Sequence, residues 1–97
     1  MENNNLISIE KLKQVAKKKG LKKYIKEINY SKVKNKKYYV ITIDNKKVNF
    51  GSLDYEDYLI HKDKVRRDNF LKRFEKLYNK NKDNYNSAIF WSWNILW

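Results

Sequence analysis

Asp54, Glu56, Asp57, His61 and Asp63 place one imidazole among four carboxylates within a short stretch of chain. Carboxylates hold hard cations, and an acid beside a histidine tunes its proton affinity, so such a cluster is the raw material of a metal site or a general base. The signal is weak, because His61 is the only histidine, cysteine is absent, and no Gly-rich phosphate loop, G-x-S-x-G, H-E-x-x-H or P-loop pattern occurs. A lone His beside acids more often starts a helix or joins an ion pair. An enzyme is therefore the less favoured class: a metal-dependent nuclease centred on His61 is the third reading, and no cofactor, metal ligand or catalytic residue is assigned.

The stronger chemical signal is charge. The chain has 97 residues, a formal charge of +12 and 23 basic residues, of which 20 are Lys and only Arg66, Arg67 and Arg73 are Arg. Clustered cations gain free energy by releasing counterions from phosphates, so a polyanion is the expected partner. The abundance of Lys, Asn, Ile and Tyr also fits an AT-rich coding sequence, which makes the three Arg and three Trp more telling than any single Lys. Basic runs at 17–23 and 32–37 and the Arg-containing region around 66–76 give candidate phosphate contacts at Lys17, Lys18, Lys19, Lys22, Lys23, Lys34, Lys36, Lys37, Arg66, Arg73 and Lys76. Eight tyrosines interleaved with Lys supply stacking platforms. Without a zinc finger, an RNP sequence or a helix-turn-helix, binding should follow shape and charge rather than base identity.

These residues need elements to hold them. Residues 1–6 are expected to form a disordered leader, and 7–97 a single α+β domain, since this length supports one modest core. Ser8 suits an N-cap, Ile7 and Leu12 the spacing of a hydrophobic staple, and Gly20 a C′ position, predicting a helix over about 9–19. Ile9, Leu12, Val15 and Ala16 share its apolar face, and the seven lysines between 11 and 23 its exposed side. Loose alternation over 24–33 predicts a strand with a bulge near Lys26 and Glu27, followed by strands at 38–44 and 47–50 joined by a tight turn at Asn45-Lys46. In the middle strand either Tyr38, Val40 and Thr42 or Tyr39, Ile41 and Ile43 could face the core. Gly51 marks the exit from the resulting antiparallel meander.

Residues 52–61 are expected as an acidic loop or short helical turn, and a long amphipathic helix from about 62–65 to 78–79. Phe70, Leu71, Phe74, Leu77 and Tyr78 form its apolar side, and Lys62, Arg66, Asn69, Arg73, Lys76 and Lys80 a basic stripe. Arg67 projects into the apolar sector, where burial calls for a carboxylate or several carbonyls, and Asp57 is the partner assigned to it. All three tryptophans lie within the last seven residues, and the stretch 87–97 carries no charge. A cap at Asn86 or Ser87 predicts a short helix with Ile89, Phe90, Trp93, Leu96 and Trp97 on one side, laid across the sheet and the long helix. A partner surface or a membrane interface are the other uses of such a tail, the latter weakened by its lack of a cationic face. The predicted core is thus Phe70, Phe74, Leu77, Trp93 and Trp97.

The absence of cysteine, of a secretory signal and of an apolar stretch near the roughly 18–20 residues of a membrane span predicts a soluble protein of a reducing compartment, with no membrane partner. Asn49-Phe50-Gly51-Ser52, then Tyr55-x-x-Tyr58-x-x-His61-Lys62-Asp63-x-x-Arg66-Arg67-x-x-Phe70-x-x-Arg73, then Phe90-Trp91-Ser92-Trp93 and Leu96-Trp97 resemble a family of small, uncharacterised basic proteins of nucleocytoplasmic large DNA viruses, mimivirus relatives among them. The likeness begins in the first helix and spans nearly the whole chain. A His commonly precedes the Phe-Gly pair in that family and Asn49 stands there here, which argues against a two-histidine metal site. The resemblance implies a viral protein working in the host cytoplasm or nucleus, at the viral factory, or packaged in the virion. It carries no biochemical activity.

The expectation is an α+β protein with a basic N-terminal helix, a three-stranded antiparallel meander, a long amphipathic helix and a short Trp-rich C-terminal helix on the sheet. Its expected function is non-enzymatic, sequence-nonspecific binding of DNA or RNA backbone as a viral accessory protein. The alternative is a small structural or adaptor virion protein that binds another protein.

Overall fold

A computed structural model describes residues 6–97. Of the expected leader at residues 1–6, residues 1–5 lie outside the described residues, and Leu6 is corrected to a residue packed against the core. The Ile7 amide donates to the Tyr38 hydroxyl at 2.7 Å, tying this segment to the middle of the sheet.

Helix α1 (Ile9–Lys18) forms where its caps place it. Ser8 Oγ accepts from the Lys11 amide. At the other end the Leu21 amide reaches the Ala16 carbonyl and the Gly20 amide that of Lys17, the paired bonds of a Schellman cap, with Gly20 at φ 73°. Strands β1 (Ile25–Tyr30), β2 (Lys36–Thr42) and β3 (Lys47–Ser52) make an antiparallel sheet in that order. The register shifts between Ile25 and Glu27, the bulge that the broken alternation predicted. Asn45 turns β2 into β3 at φ 64°, a left-handed conformation that asparagine tolerates.

The structure selects one face of β2. Tyr38, Val40 and Thr42 are fully buried, joined by Ile28 from β1 and by Val48 and Phe50 from β3. Ile43 lies beyond the strand and is exposed. Gly51 sits within β3 rather than at its exit, at φ 82°. A Cβ there would stand 3.0 Å from Leu96 Cδ1, so this is where the C-terminal segment presses onto the sheet.

Beyond the sheet come α2 (Tyr58–His61), a single turn capped by Asp57, and α3 (Lys64–Asn81), capped by Asp63 through the Val65 and Arg66 amides. Helix α4 (Ala88–Trp91) is capped by Ser87 and continues as π-helical turns over Ser92–Leu96, closed by the bond from the Trp97 amide to the Ser92 carbonyl. This is an α+β fold in which α1 and the C-terminal segment cover one sheet face, and α3 lies on the far side of that segment.

The expected core needs correction. Trp91, Phe90, Ile95 and Leu96 are the buried residues of the tail, whereas Trp93 and Trp97 are only partly buried. The π-helical turns are the reason: with bonds reaching five residues back, positions 90, 91, 95 and 96 share the inward side and the 3.6-residue phase is lost. Phe70 and Phe74 are half-buried and Leu77 is 48% exposed, because α3 meets the tail instead of the sheet. Trp97 stacks on Phe70 at 4.3 Å and Trp93 on Tyr78 at 4.2 Å, so these two tryptophans fasten α3 to the tail's outer side. On the inner side Trp91 meets Phe50 at 6.4 Å and donates its indole N–H to the Tyr85 carbonyl.

Candidate nucleic-acid interface

The predicted phosphate contacts fall into two clefts and a remainder. Because α1 crosses beside the edge strand β1, a cleft of about 570 Å³ opens between them. It is lined by Lys13 and Lys17 from α1, Lys22 from the following turn and Lys26 from β1, together with the acids Glu10 and Glu27. Lys17 and Lys22 were expected at such a site; Lys13 and Lys26 were not. Lys13 precedes Lys17 by one helical turn, a spacing visible in the sequence. Lys26 sits in the register shift of β1, the bulge that the broken alternation marks, and lines the cleft from there. Lys26 Nζ also donates to Asn45 Oδ1.

The second cleft, about 340 Å³, lies among the end of the sheet, α3 and the tail. Lys36 and Arg73 meet there, above an apolar wall that includes Phe70, Phe74 and Trp97. A neighbouring hollow of about 290 Å³ shares Tyr55, Glu56, Phe70, Arg73 and Trp97 and adds Arg66 and Asn69, so the two form one groove. Arg66 makes a long contact with Glu56 at 3.4 Å, both half-exposed, and the Arg73 guanidinium lies over Phe74 at 4.9 Å. An exposed pair of this kind is worth little and leaves Arg66 able to exchange partners.

Lys18, Lys23, Lys34 and Lys76 are exposed but line neither cleft. Lys19 donates to the Asn94 carbonyl, and partial burial, then Arg67, holds its ammonium below the usual lysine range. That bond joins α1 to the tail.

Lys37 is a correction. It is 2% exposed and its ammonium lies 2.8 Å from the Asp57 carboxylate, itself buried, so it contacts no polyanion. The expected pair between Arg67 and Asp57 is corrected with it. Asp57 caps α2 and turns its other oxygen to Lys37, while Arg67 Nε donates to the Trp97 carbonyl at 2.8 Å and its guanidinium covers Tyr58 at 5.4 Å. The Trp97 main-chain oxygen and the Tyr58 ring face take the place of the expected Asp57. Burial pushes the Asp57 carboxyl above its ordinary value, partly offset by Lys37.

The acidic cluster does not assemble into a cation site. Asp57 is engaged with Lys37, Glu56 with Arg66, and Asp63 with the start of α3. His61 Nδ1 accepts from the Asp63 amide at 2.9 Å, which leaves the proton of the neutral ring on Nε2. That atom is buried and has no hydrogen-bond partner among the described residues, and burial, then Arg66, lowers the imidazole pKa. With its lone pair occupied and its N–H buried beside Trp97, the ring is not placed as a base toward solvent. Among the described residues no three His, Asp or Glu converge as metal ligands.

A family of unknown function, DUF5754, matches residues 26–74, just over half of the chain. The chain belongs to the DUF5754 family. The match runs from β1 through most of α3 and so includes Lys26, Lys36, Tyr55, Arg66 and Arg73, while α1 and the tail fall outside it. No curated protein and no solved structure matches the chain. Among the described residues no helix is long and apolar enough to cross a membrane.

Proposed function

We propose that this protein is a non-enzymatic, sequence-nonspecific nucleic-acid-binding accessory protein of a large DNA virus, acting in the host cytoplasm or nucleus or carried in the virion. The viral assignment rests on the resemblance through the Tyr55-to-Arg73 pattern. The binding reading rests on the α1–β1 cleft: four lysines from three successive segments line one concavity, and none forms an ion pair among the described residues. Such a row of ammonium groups suits a phosphate backbone, which presents charge at regular intervals and releases counterions when neutralised. Because lysine is a point charge on a flexible stem, the cleft selects charge and spacing, not bases.

Titrating a labelled duplex and a labelled single strand between about 50 and 300 mM salt tests the reading, since affinity must fall steeply across that range. Reversing Lys17 and Lys22 to Glu should reduce the slope of log K against log salt by about 2 without loss of helical signal. Absent binding, or binding indifferent to salt, removes the proposal. A structural or adaptor role is favoured by Val65 and Ile43, 68% and 49% exposed, and predicts instead a protein partner lost when these side chains are changed.

A further inference from the structure

The groove beside α3 differs in chemistry from the lysine cleft. Its free ring is Tyr55, 68% exposed, and Phe70 and Trp97, stacked on each other, form an apolar wall. Around this surface stand three cations from two elements, Lys36 at the start of β2 and Arg66 and Arg73 two helical turns apart on α3, against the one carboxylate of Glu56 that Arg66 faces. Its two parts, about 340 and 290 Å³, lie in or near the range of roughly 300–1,000 Å³ over which pockets accept flat organic groups. An aromatic floor bordered by guanidinium groups has the complement of a nucleotide whose base has left its stack: a π-face for the base and bidentate donors for the flanking phosphates. A base stacked within a duplex offers no free face.

We infer that this groove binds unpaired nucleotides, so that the protein favours single-stranded DNA or RNA over duplex. The inference rests on the nucleic-acid reading above and deepens it: the lysine cleft supplies charge for any polymer, and the Tyr55 groove supplies the preference for single strands. The occupant is a nucleic acid rather than an acidic peptide because the exposed Tyr55 ring offers an unstacked face beside the cations, whereas a carboxylate chain needs only the charge.

The test compares a labelled oligo-dT single strand with a duplex of equal length, using the full chain in one buffer. The single strand should bind several-fold more tightly and should quench tryptophan fluorescence through Trp97. Tyr55→Ala should weaken single-strand binding by about tenfold, leave duplex binding within about twofold and abolish the preference. Tyr55 is largely exposed, so this variant should fold normally; Arg73→Gln provides a second probe of the same groove. Lys17→Glu with Lys22→Glu should weaken both polymers alike. Equal affinity for strand and duplex, or an unchanged preference in Tyr55→Ala and Arg73→Gln, overturns the inference while leaving general binding intact. Binding of neither polymer overturns the parent reading as well. Quenching by poly-glutamate but not by oligo-dT overturns it and gives the groove to a protein.

Discussion

Replacing Lys37 by Met tests the account of the buried pair most directly. The Lys37 and Asp57 side chains are 1% and 3% exposed and separated by 2.8 Å, so removing the ammonium strands a carboxylate where water cannot reach it. Breaking a buried pair from one side costs about 3–5 kcal/mol, against about 5–15 kcal/mol for a whole domain of this kind. With a urea m-value near about 1.5 kcal/mol per molar, the midpoint should fall by about 2–3 M at pH 7. The loss should depend on pH. Desolvation already raises the Asp57 carboxyl, and without Lys37 its principal counterweight is gone. A carboxyl with a folded-state pKa above its unfolded value binds its proton more readily when folded. Stability is then greatest below about pH 4 and declines as pH rises through the folded value. The penalty of Lys37→Met should therefore be largest at neutral pH and narrow toward about pH 4. Adding Asp57→Asn removes the stranded charge and keeps a side chain able to cap α2, so the double variant should recover most of the loss. Urea curves for the wild type, each single variant and the double variant at two pH values decide it. A single-variant loss below about 1 kcal/mol, or a double variant no better than the single, would refute the reasoning.

Trp91→Ala should cost about 3–5 kcal/mol in thermal or urea unfolding, and Trp93→Ala clearly less, because the first empties a core site and the second uncovers a half-buried stack. Deleting residues 93–97 should unfold the domain through loss of the buried Ile95 and Leu96; a truncated protein with native circular dichroism would contradict the tail's place beneath α3. Gly51→Ala should destabilise by at least about 1 kcal/mol, since it combines a positive φ with a 3.0 Å approach to Leu96, whereas Gly20→Asn should be nearly neutral because its left-handed cap opens onto free space. NMR titration should place the His61 imidazole below the ordinary value of about 6.5, and since its folded-state pKa is depressed, its contribution to stability is present above about pH 6.5 and lost as pH falls through the folded value. His61→Gln should remove that component, and an unshifted titration would show that the ring is not buried as described.

Local chemistry was enough to determine the elements of this protein. Ser8 and Gly20 delimit α1, the broken alternation near Lys26 marks the bulge, and the turn at Asn45-Lys46 closes the β2–β3 hairpin, because caps, bulges and turns are settled by neighbours within a few residues. The basic character of α1 was equally legible, as was the need of the uncharged tail for a place in the fold. What only the tertiary structure decided was phase and partnership. Tyr38 and Tyr39 are equivalent until a helix covers one side of β2, and the π-helical turns that follow Trp91 bring Ile95 and Leu96 to its inward side and leave Trp93 and Trp97 to α3. Lys37 reads as one more surface lysine, yet Asp57, twenty positions away, reaches it when α2 folds against the sheet end. Lys13, Lys17, Lys22 and Lys26 become one cleft only when α1 lies along β1, and Tyr55 meets Arg73 and Trp97 only when α3 closes on the tail. Short-range sterics and hydrogen bonding write the elements into neighbouring residues, whereas burial and charge pairing depend on which distant surfaces meet, and that is a property of the packed chain.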